Sequence, residues 1–173
     1  MNYLYHIVQP QMTGNELVPL NKLKHTNLPL YAHYAAKYQG REEVMDKHIP
    51  PLGCMWNDVV FMTAVHPQKL MDARKSLRSR LHRNKFFQID PYSLDPSLMT
   101  VWLSNSDNDT SPASFEPFVV EDIGKYSEVP PATVEYYRRC VELRRRILIF
   151  ALVPHILYRG TIDVSNAKII EVT

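Results

Sequence analysis

Glycine and cysteine are scarce in this chain, and long apolar runs are missing. The 173 residues include five glycines, which form neither a GxGxxG nor a GxxxxGK(S/T) pattern, so the common phosphate-cradling loops are excluded. Two cysteines, Cys54 and Cys140, lie far apart in the sequence and cannot form a four-thiolate metal site. The longest apolar run, residues 147–153, is far shorter than the roughly 20 residues of a membrane-spanning helix. We therefore expect neither a transmembrane protein nor a disulfide-built one.

The start of the sequence lacks the charged segment and apolar segment of a signal peptide. This absence predicts a cytoplasmic protein, or one exported without a cleaved signal. The formal net charge of +2 is too small to indicate a membrane partner, and no membrane contact is expected.

Charge is nevertheless uneven along the chain. Residues 68–86 are basic, whereas residues 104–128 are acidic. The basic segment contains a predicted helix that could contact phosphates of a nucleic acid, or an acidic protein. Its candidate contact residues are Arg74, Arg78, Arg80 and Arg83.

Hydrophobic periodicity predicts a mixture of strands and helices. The predicted strands are residues 3–8, 56–63, 85–90, 99–103, 147–153, 155–158 and 168–172. The predicted helices are residues 29–37, 41–47, 67–81 and 132–146. We expect 85–90 and 99–103 to form a hairpin, and 147–153, apolar on both faces, to be a central strand. The order predicts one α+β domain over residues 1–173, with three to four helices and a mainly antiparallel sheet, either continuous or split.

Seven histidines invite a search for a metal site, but none is arranged as HxH or HExxH. No metal is therefore expected. Cys54 follows a Pro-Pro-Leu-Gly turn and is the better of two poor candidates for a cysteine nucleophile.

Polar residues cluster instead around the predicted strands 3–8 and 56–63. His6 lies on the first of these strands, and Tyr38 and Arg41 follow the first helix. Asp58 and His66 stand near the two ends of the second strand. If the two strands lie side by side, these side chains would line a common cleft.

The order of these segments resembles the ADP-ribosyltransferase superfamily, in particular its DarT-like branch, which modifies DNA bases with NAD. The resemblance rests on four patterns. They are Tyr5-His6-Ile7-Val8, Arg41 within KYQGRE, the segment Asp58 to Pro67, and the C-terminal pattern of 148–154 with 162–172.

This resemblance implies NAD as cofactor and an α+β fold of the transferase type. His6 would hydrogen-bond the nicotinamide ribose, Tyr38 would stack on the nicotinamide, and Arg41 would contact the pyrophosphate and take part in catalysis. Asp58 and His66 would complete the cofactor site. The acceptor of ADP-ribose would be a nucleic acid or a protein.

The catalytic glutamate of that family should stand at the start of the apolar strand, where this chain has Arg144-Arg145-Arg146. Glu142 is the nearest carboxylate and is the candidate catalytic residue, with Glu135 as the other choice. Otherwise the fold is present without transferase activity. Two further functions stay open: a non-catalytic module that binds nucleic acid or an acidic protein through the basic helix 67–85, and a small-molecule-binding or stress-related protein.

Overall fold

Two antiparallel sheets form the centre of the protein, and the helices are short. The computed structural model describes residues 2–77, 84–105 and 110–173. Arg78, Arg80 and Arg83, and part of the polar loop 104–114, lie outside these ranges. The described α-helices are α1 (Leu20–Thr26), α2 (Leu28–Ala35), α3 (Pro67–Ser76) and α4 (Pro131–Glu142).

Seven of the described strands build the two larger sheets. The three-stranded sheet has the order β1-β6-β11, and the four-stranded sheet has the order β5-β9-β7-β8. The remaining strands form two-stranded pairs, β2 with β10 and β3 with β4. The bounds are β1 (Leu4–Ile7), β2 (Glu16–Leu17), β3 (His48–Ile49), β4 (Cys54–Met55), β5 (Val59–Met62), β6 (Asn84–Ile89), β7 (Met99–Trp102), β8 (Phe115–Pro117), β9 (His155–Arg159), β10 (Ile162–Asp163) and β11 (Lys168–Val172).

Among the described residues, one backbone bridge joins the two larger sheets. The Tyr5 amide donates to the Thr63 carbonyl at 2.8 Å, and the Thr63 amide donates to the Tyr5 carbonyl at 3.1 Å. In an antiparallel ladder the next such pair would be Ile7 with Phe61. The Phe61 carbonyl is bonded instead by Nδ1 of His6, at 2.8 Å, so the strands separate at this point. The prediction of an α+β fold with a mainly antiparallel sheet is confirmed, in its split form.

The main core lies where the two sheets face each other. Leu4 on β1, together with Phe87 and Ile89 on β6, packs against alternate residues of the four-stranded sheet such as Met62 and Ile156. The opposite face of the four-stranded sheet packs under the irregular segment 38–56. Since side chains alternate between the two faces of a strand, β5 contributes residues to both cores.

Two local predictions are wrong. Strands 85–90 and 99–103 do not form a hairpin, because β6 and β7 belong to different sheets. The predicted helix 41–47 is only the 3₁₀ turn Glu42–Val44.

The predicted central strand 147–153 is also wrong, because this segment turns instead of extending. Its carbonyl groups bond to side chains of α4 rather than to a neighbouring strand: Thr133 donates to Ala151 at 3.0 Å, and Tyr137 donates to Ile149. Ile149 and Phe150 pack against Met71, Phe86 and the end of β11. The apolar character of the run therefore reflects a partly buried loop, in which Val153 is fully buried and Leu148 is exposed.

Helix α4 ends earlier than predicted, in a Schellman motif. The Arg145 amide donates to the Cys140 carbonyl at 2.8 Å, and the Arg144 amide donates to Val141 at 3.1 Å. Arg144 has φ = 52°, a left-handed conformation that glycine usually supplies. A non-glycine residue there costs roughly 1 kcal/mol.

We expect Thr63→Val to lower the free energy of unfolding by about 2 kcal/mol, because its buried hydroxyl has two partners. Oγ1 of Thr63 accepts from the Val65 amide at 3.1 Å and donates to the Pro154 carbonyl at 3.3 Å. Urea denaturation measures the change. Thr26→Val, at an exposed hydroxyl bonded within α1, is the matched control and should stay within about 0.5 kcal/mol of wild type. Equal losses in the two variants would contradict this account.

Candidate functional site

Two cations lie over one tyrosine ring beside the junction of the sheets. Tyr38, at the end of the 3₁₀ turn Ala36–Tyr38, is 6% exposed. Nζ of Lys37 lies 4.9 Å from its ring centroid, and Cζ of Arg41 lies 5.8 Å from it. Arg41 also donates from Nε and Nη2 to the Lys37 carbonyl, at 3.4 and 3.3 Å. We call His6, Lys37, Tyr38 and Arg41 the Tyr38 surface.

The charges of this surface act on one another. Burial, and then the charge of Arg41, lowers the pKa of Lys37. Burial also lowers the pKa of His6, the bond to Phe61 partly offsets this, and the charge of Lys37 lowers it further. Within residues 2–77, 84–105 and 110–173, no carboxylate forms an ion pair with Lys37 or Arg41. The surface therefore favours an anion.

The tautomer of His6 follows from its partner. A carbonyl oxygen only accepts, so Nδ1 carries the proton that is donated to Phe61. Since the lowered pKa keeps the ring neutral at pH 7, Nε2 is an acceptor. This nitrogen can receive a hydrogen bond from a hydroxyl group.

A buried aromatic layer supports Tyr38 from below. The Trp56 indole donates to the Tyr38 hydroxyl. The ring of Trp56 lies 4.9 Å from that of Phe61 and 4.8 Å from that of Trp102, and His155 lies 5.4 Å from Trp102. These contacts connect Tyr38 to β5, β7 and β9, which are regular strands. The tyrosine is thereby held on a rigid element.

The structure places Asp58 and His66 in local structural roles. The Asp58 carboxylate accepts from the Met55 amide and from Asn21, both at 2.8 Å. His66 caps α3 by accepting from the Gln68 amide at 3.1 Å, and its ring packs on Tyr5 at 5.0 Å. Among the described hydrogen bonds, ion pairs and ring contacts, none joins either side chain to the Tyr38 surface, and their role in cofactor binding stays a prediction.

Glu142 is exposed at the last position of α4. It makes no described contact with His6, Tyr38 or Arg41, which lie at the sheet junction. The structure therefore places Arg41 over the ring of Tyr38, brings His6 within range of the charge of Lys37, and leaves the candidate catalytic carboxylate on a separate helix.

Two described cations of the basic helix form ion pairs. Lys69 forms an ion pair with Glu128 at 2.6 Å, and Lys75 lies 3.9 Å from Asp72. Nε of Arg74 is buried, and the charge of Arg74 acts on Tyr137 of α4, opposing the rise in pKa that burial causes there. The contact of Arg74 with nucleic acid stays a prediction, and the other three arginines lie outside the described ranges.

Burial raises the pKa of the Cys54 thiol to about 11, with a further contribution from the charge of Asp58. The thiol is therefore protonated at neutral pH and is a poor nucleophile. Among the residues the structure describes, His, Cys, Asp and Glu side chains form no group of three that could hold a metal ion.

Sequence reasoning missed Lys37 and Trp56. Lys37 stands four residues before Arg41, and two like charges at this spacing destabilise a helix. This spacing is the feature of the sequence that could have indicated a cationic site. The support that Trp56 gives to Tyr38 depends on tertiary contacts, and no pattern in the sequence indicates it.

Comparison of the chain with protein-family models, with curated proteins and with solved structures finds no match. In the described part of the chain, none of the helices has the length and apolar character needed to cross a membrane.

We expect stability to fall as the pH drops from about 6.5 to about 4, because burial lowers the pKa of His155 to about 4. In that window the unfolded imidazole binds a proton that the folded one does not, which removes about 2 kcal/mol after allowance for partial exposure. Urea denaturation across this pH range measures the slope.

His155→Gln should flatten the slope, and the matched control His25→Gln, at an exposed histidine, should leave it unchanged. His6 contributes in the same direction, so some slope should remain in His155→Gln. A slope identical to that of wild type would show that His155 is not the titrating group.

Proposed function

We propose that the protein binds NAD or a related dinucleotide at the Tyr38 surface. The observation that carries this proposal is the closeness of two cations, Lys37 and Arg41: both lie over the Tyr38 ring, the charge of Arg41 adds to burial in lowering the pKa of Lys37, and neither has a described carboxylate partner. A pyrophosphate would bring two negative charges to them and form charge-assisted hydrogen bonds.

The neutral imidazole supports the nucleoside part of this ligand. Nε2 of His6 would accept a hydrogen bond from a ribose hydroxyl, while Nδ1 stays bonded to Phe61. Tyr38 is mostly buried, and the cations lie over its ring. A nicotinamide or adenine ring would therefore stack there only after Lys37 or Arg41 moves towards the phosphates.

Transfer of ADP-ribose to a nucleic acid or protein acceptor would be a further step of the same proposal. It requires a carboxylate that orients the ribose and stabilises the positive charge that develops as nicotinamide leaves. Glu142 would have to approach from the end of α4 to do so. The Tyr38 surface by itself supports binding, so binding is the property to test first.

We expect NAD, ADP-ribose and inorganic pyrophosphate each to raise the melting temperature of the protein. Arg41→Gln should weaken NAD binding about tenfold, because it removes a cation from the pyrophosphate. Lys37→Gln should act similarly. Calorimetric titration measures the dissociation constants, which should also increase with ionic strength.

Lys24→Gln is the matched control, since it removes an exposed lysine of α1. Its NAD affinity should equal that of wild type. Affinity that is unchanged in Arg41→Gln and Lys37→Gln, or the absence of any response to the three ligands, would refute the proposal. Release of nicotinamide from NAD that is lost in Glu142→Gln would extend it to catalysis.

A further inference from the structure

Exposed aliphatic side chains and exposed arginines occur together where α4 ends. Val141, Leu143 and Leu148 are 40%, 53% and 51% exposed, respectively. The arginines of the same segment are Arg139, Arg144, Arg145 and Arg146, all exposed. We call residues 139–148 the α4-end patch. The three aliphatic side chains lie within eight residues of one another in the sequence, and large exposed apolar groups that are concentrated in one segment mark an interaction surface more often than scattered ones do.

The patch has an excess of positive charge. Glu142 is its single carboxylate, against four arginines. Arg138, just before the patch, pairs with Glu135. Within the described ranges none of the four arginines of the patch forms an ion pair. The occupant of this surface must therefore be anionic.

The backbone of Arg144 gives a second, independent indication. Its φ of 52° closes the Schellman motif at the position where glycine is favoured. One arginine near a helix C-terminus is explained by the helix dipole, and Arg139 already stands in the last turn. A strained arginine beyond that turn is not explained by the stability of the helix, which points to function.

We propose that the α4-end patch binds the surface of membranes that contain anionic phospholipids. The arginines would contact lipid phosphates, and the three aliphatic side chains would enter the boundary between headgroups and acyl chains. These aliphatic residues project from a helix end and the turn after it, so a fluid layer receives them without a matching pocket. Contact of this kind needs no spanning segment, although the sequence alone predicted no membrane partner.

A nucleic acid fits the patch less well. Single-stranded nucleic acids stack on exposed aromatic rings, and here Tyr137 is fully buried while the Tyr136 hydroxyl is bonded to the Leu148 amide at 3.3 Å. The three aliphatic side chains would gain nothing from a phosphate backbone. An acidic protein would match the charge, and the experiment below separates it from a membrane.

The experiment is co-sedimentation of the whole chain with vesicles of phosphatidylcholine and phosphatidylserine, compared with vesicles of phosphatidylcholine alone. Binding to the anionic vesicles should be at least about tenfold stronger and should weaken with salt. Leu143→Ser with Leu148→Ser, and separately Arg145→Gln with Arg146→Gln, should each weaken it by about tenfold.

Arg144→Gly separates function from folding, because the two effects have opposite signs. It should raise the melting temperature by about 2 °C by relieving the left-handed strain, while it weakens vesicle binding. Ile169→Ser is the matched control: it removes a side chain that is 52% exposed on β11, outside the patch, and should leave vesicle binding unchanged.

Several outcomes would overturn the proposal. These are no preference for anionic vesicles, binding that the leucine substitutions leave unchanged, and equal weakening by Ile169→Ser. Binding to an oligonucleotide or to a polyglutamate peptide, without vesicle binding, would also overturn it and would assign the patch to that partner instead. All these residues lie outside the Tyr38 surface, so the result does not depend on whether NAD binds.

Discussion

The hydrogen-bonded pair Tyr5 and Thr63 is the contact on which the arrangement of the molecule depends. It is the one described bridge between the three-stranded and four-stranded sheets, and the main core lies between their inner faces. Beyond it the ladder does not continue, and His6 uses its side chain where a backbone amide would otherwise bond to Phe61. A split in a sheet normally leaves a carbonyl without a partner in a poorly solvated place, which is costly. The imidazole removes that cost and is itself fixed in position and tautomer.

The chemistry of the Tyr38 surface follows from this fixed imidazole and from the layer beneath it. Burial holds His6 neutral, and the nearby ammonium of Lys37 disfavours its protonation further. Lys37 in turn is disfavoured as a cation by burial and by Arg41. Trp56 hydrogen-bonds Tyr38 and packs on Trp102, so the ring below the two cations cannot move aside easily. Two cations held close together over a rigidly supported ring lower the free energy of unfolding, and an anionic ligand would offset this loss.

Local patterns predicted those parts of the fold that local physics determines. A β-branched and aromatic run predicted β1, a continuous apolar run predicted β5, and proline positions predicted the starts of α3 and α4. The run 147–153 was predicted wrongly because a continuous apolar run does not by itself distinguish a strand from a packed turn. The hydroxyls of Thr133 and Tyr137, which donate to its carbonyls, belong to α4 and are not visible in the pattern of the run. The sequence predicted that strands 3–8 and 56–63 lie side by side, and the bridge between Tyr5 and Thr63 joins them. The capping roles of Asp58 and His66 were not predictable, because caps depend on local backbone geometry that residue spacing does not reveal.

The small net charge of the chain conceals how its charges are distributed. A formal charge of +2 argues against polyanion binding only if the charges are evenly mixed. In the described part of the chain, Lys37 with Arg41 and the arginines after α4 form two groups of cations without a carboxylate partner, whereas Lys69 pairs with Glu128 and Lys75 lies near Asp72. Screening in physiological salt acts over roughly 8 Å, so a ligand at either site responds to the local group of charges and hardly to the total. Two described cations of the segment that looked most basic in the sequence are thus paired with carboxylates, and binding is expected where like charges remain close together.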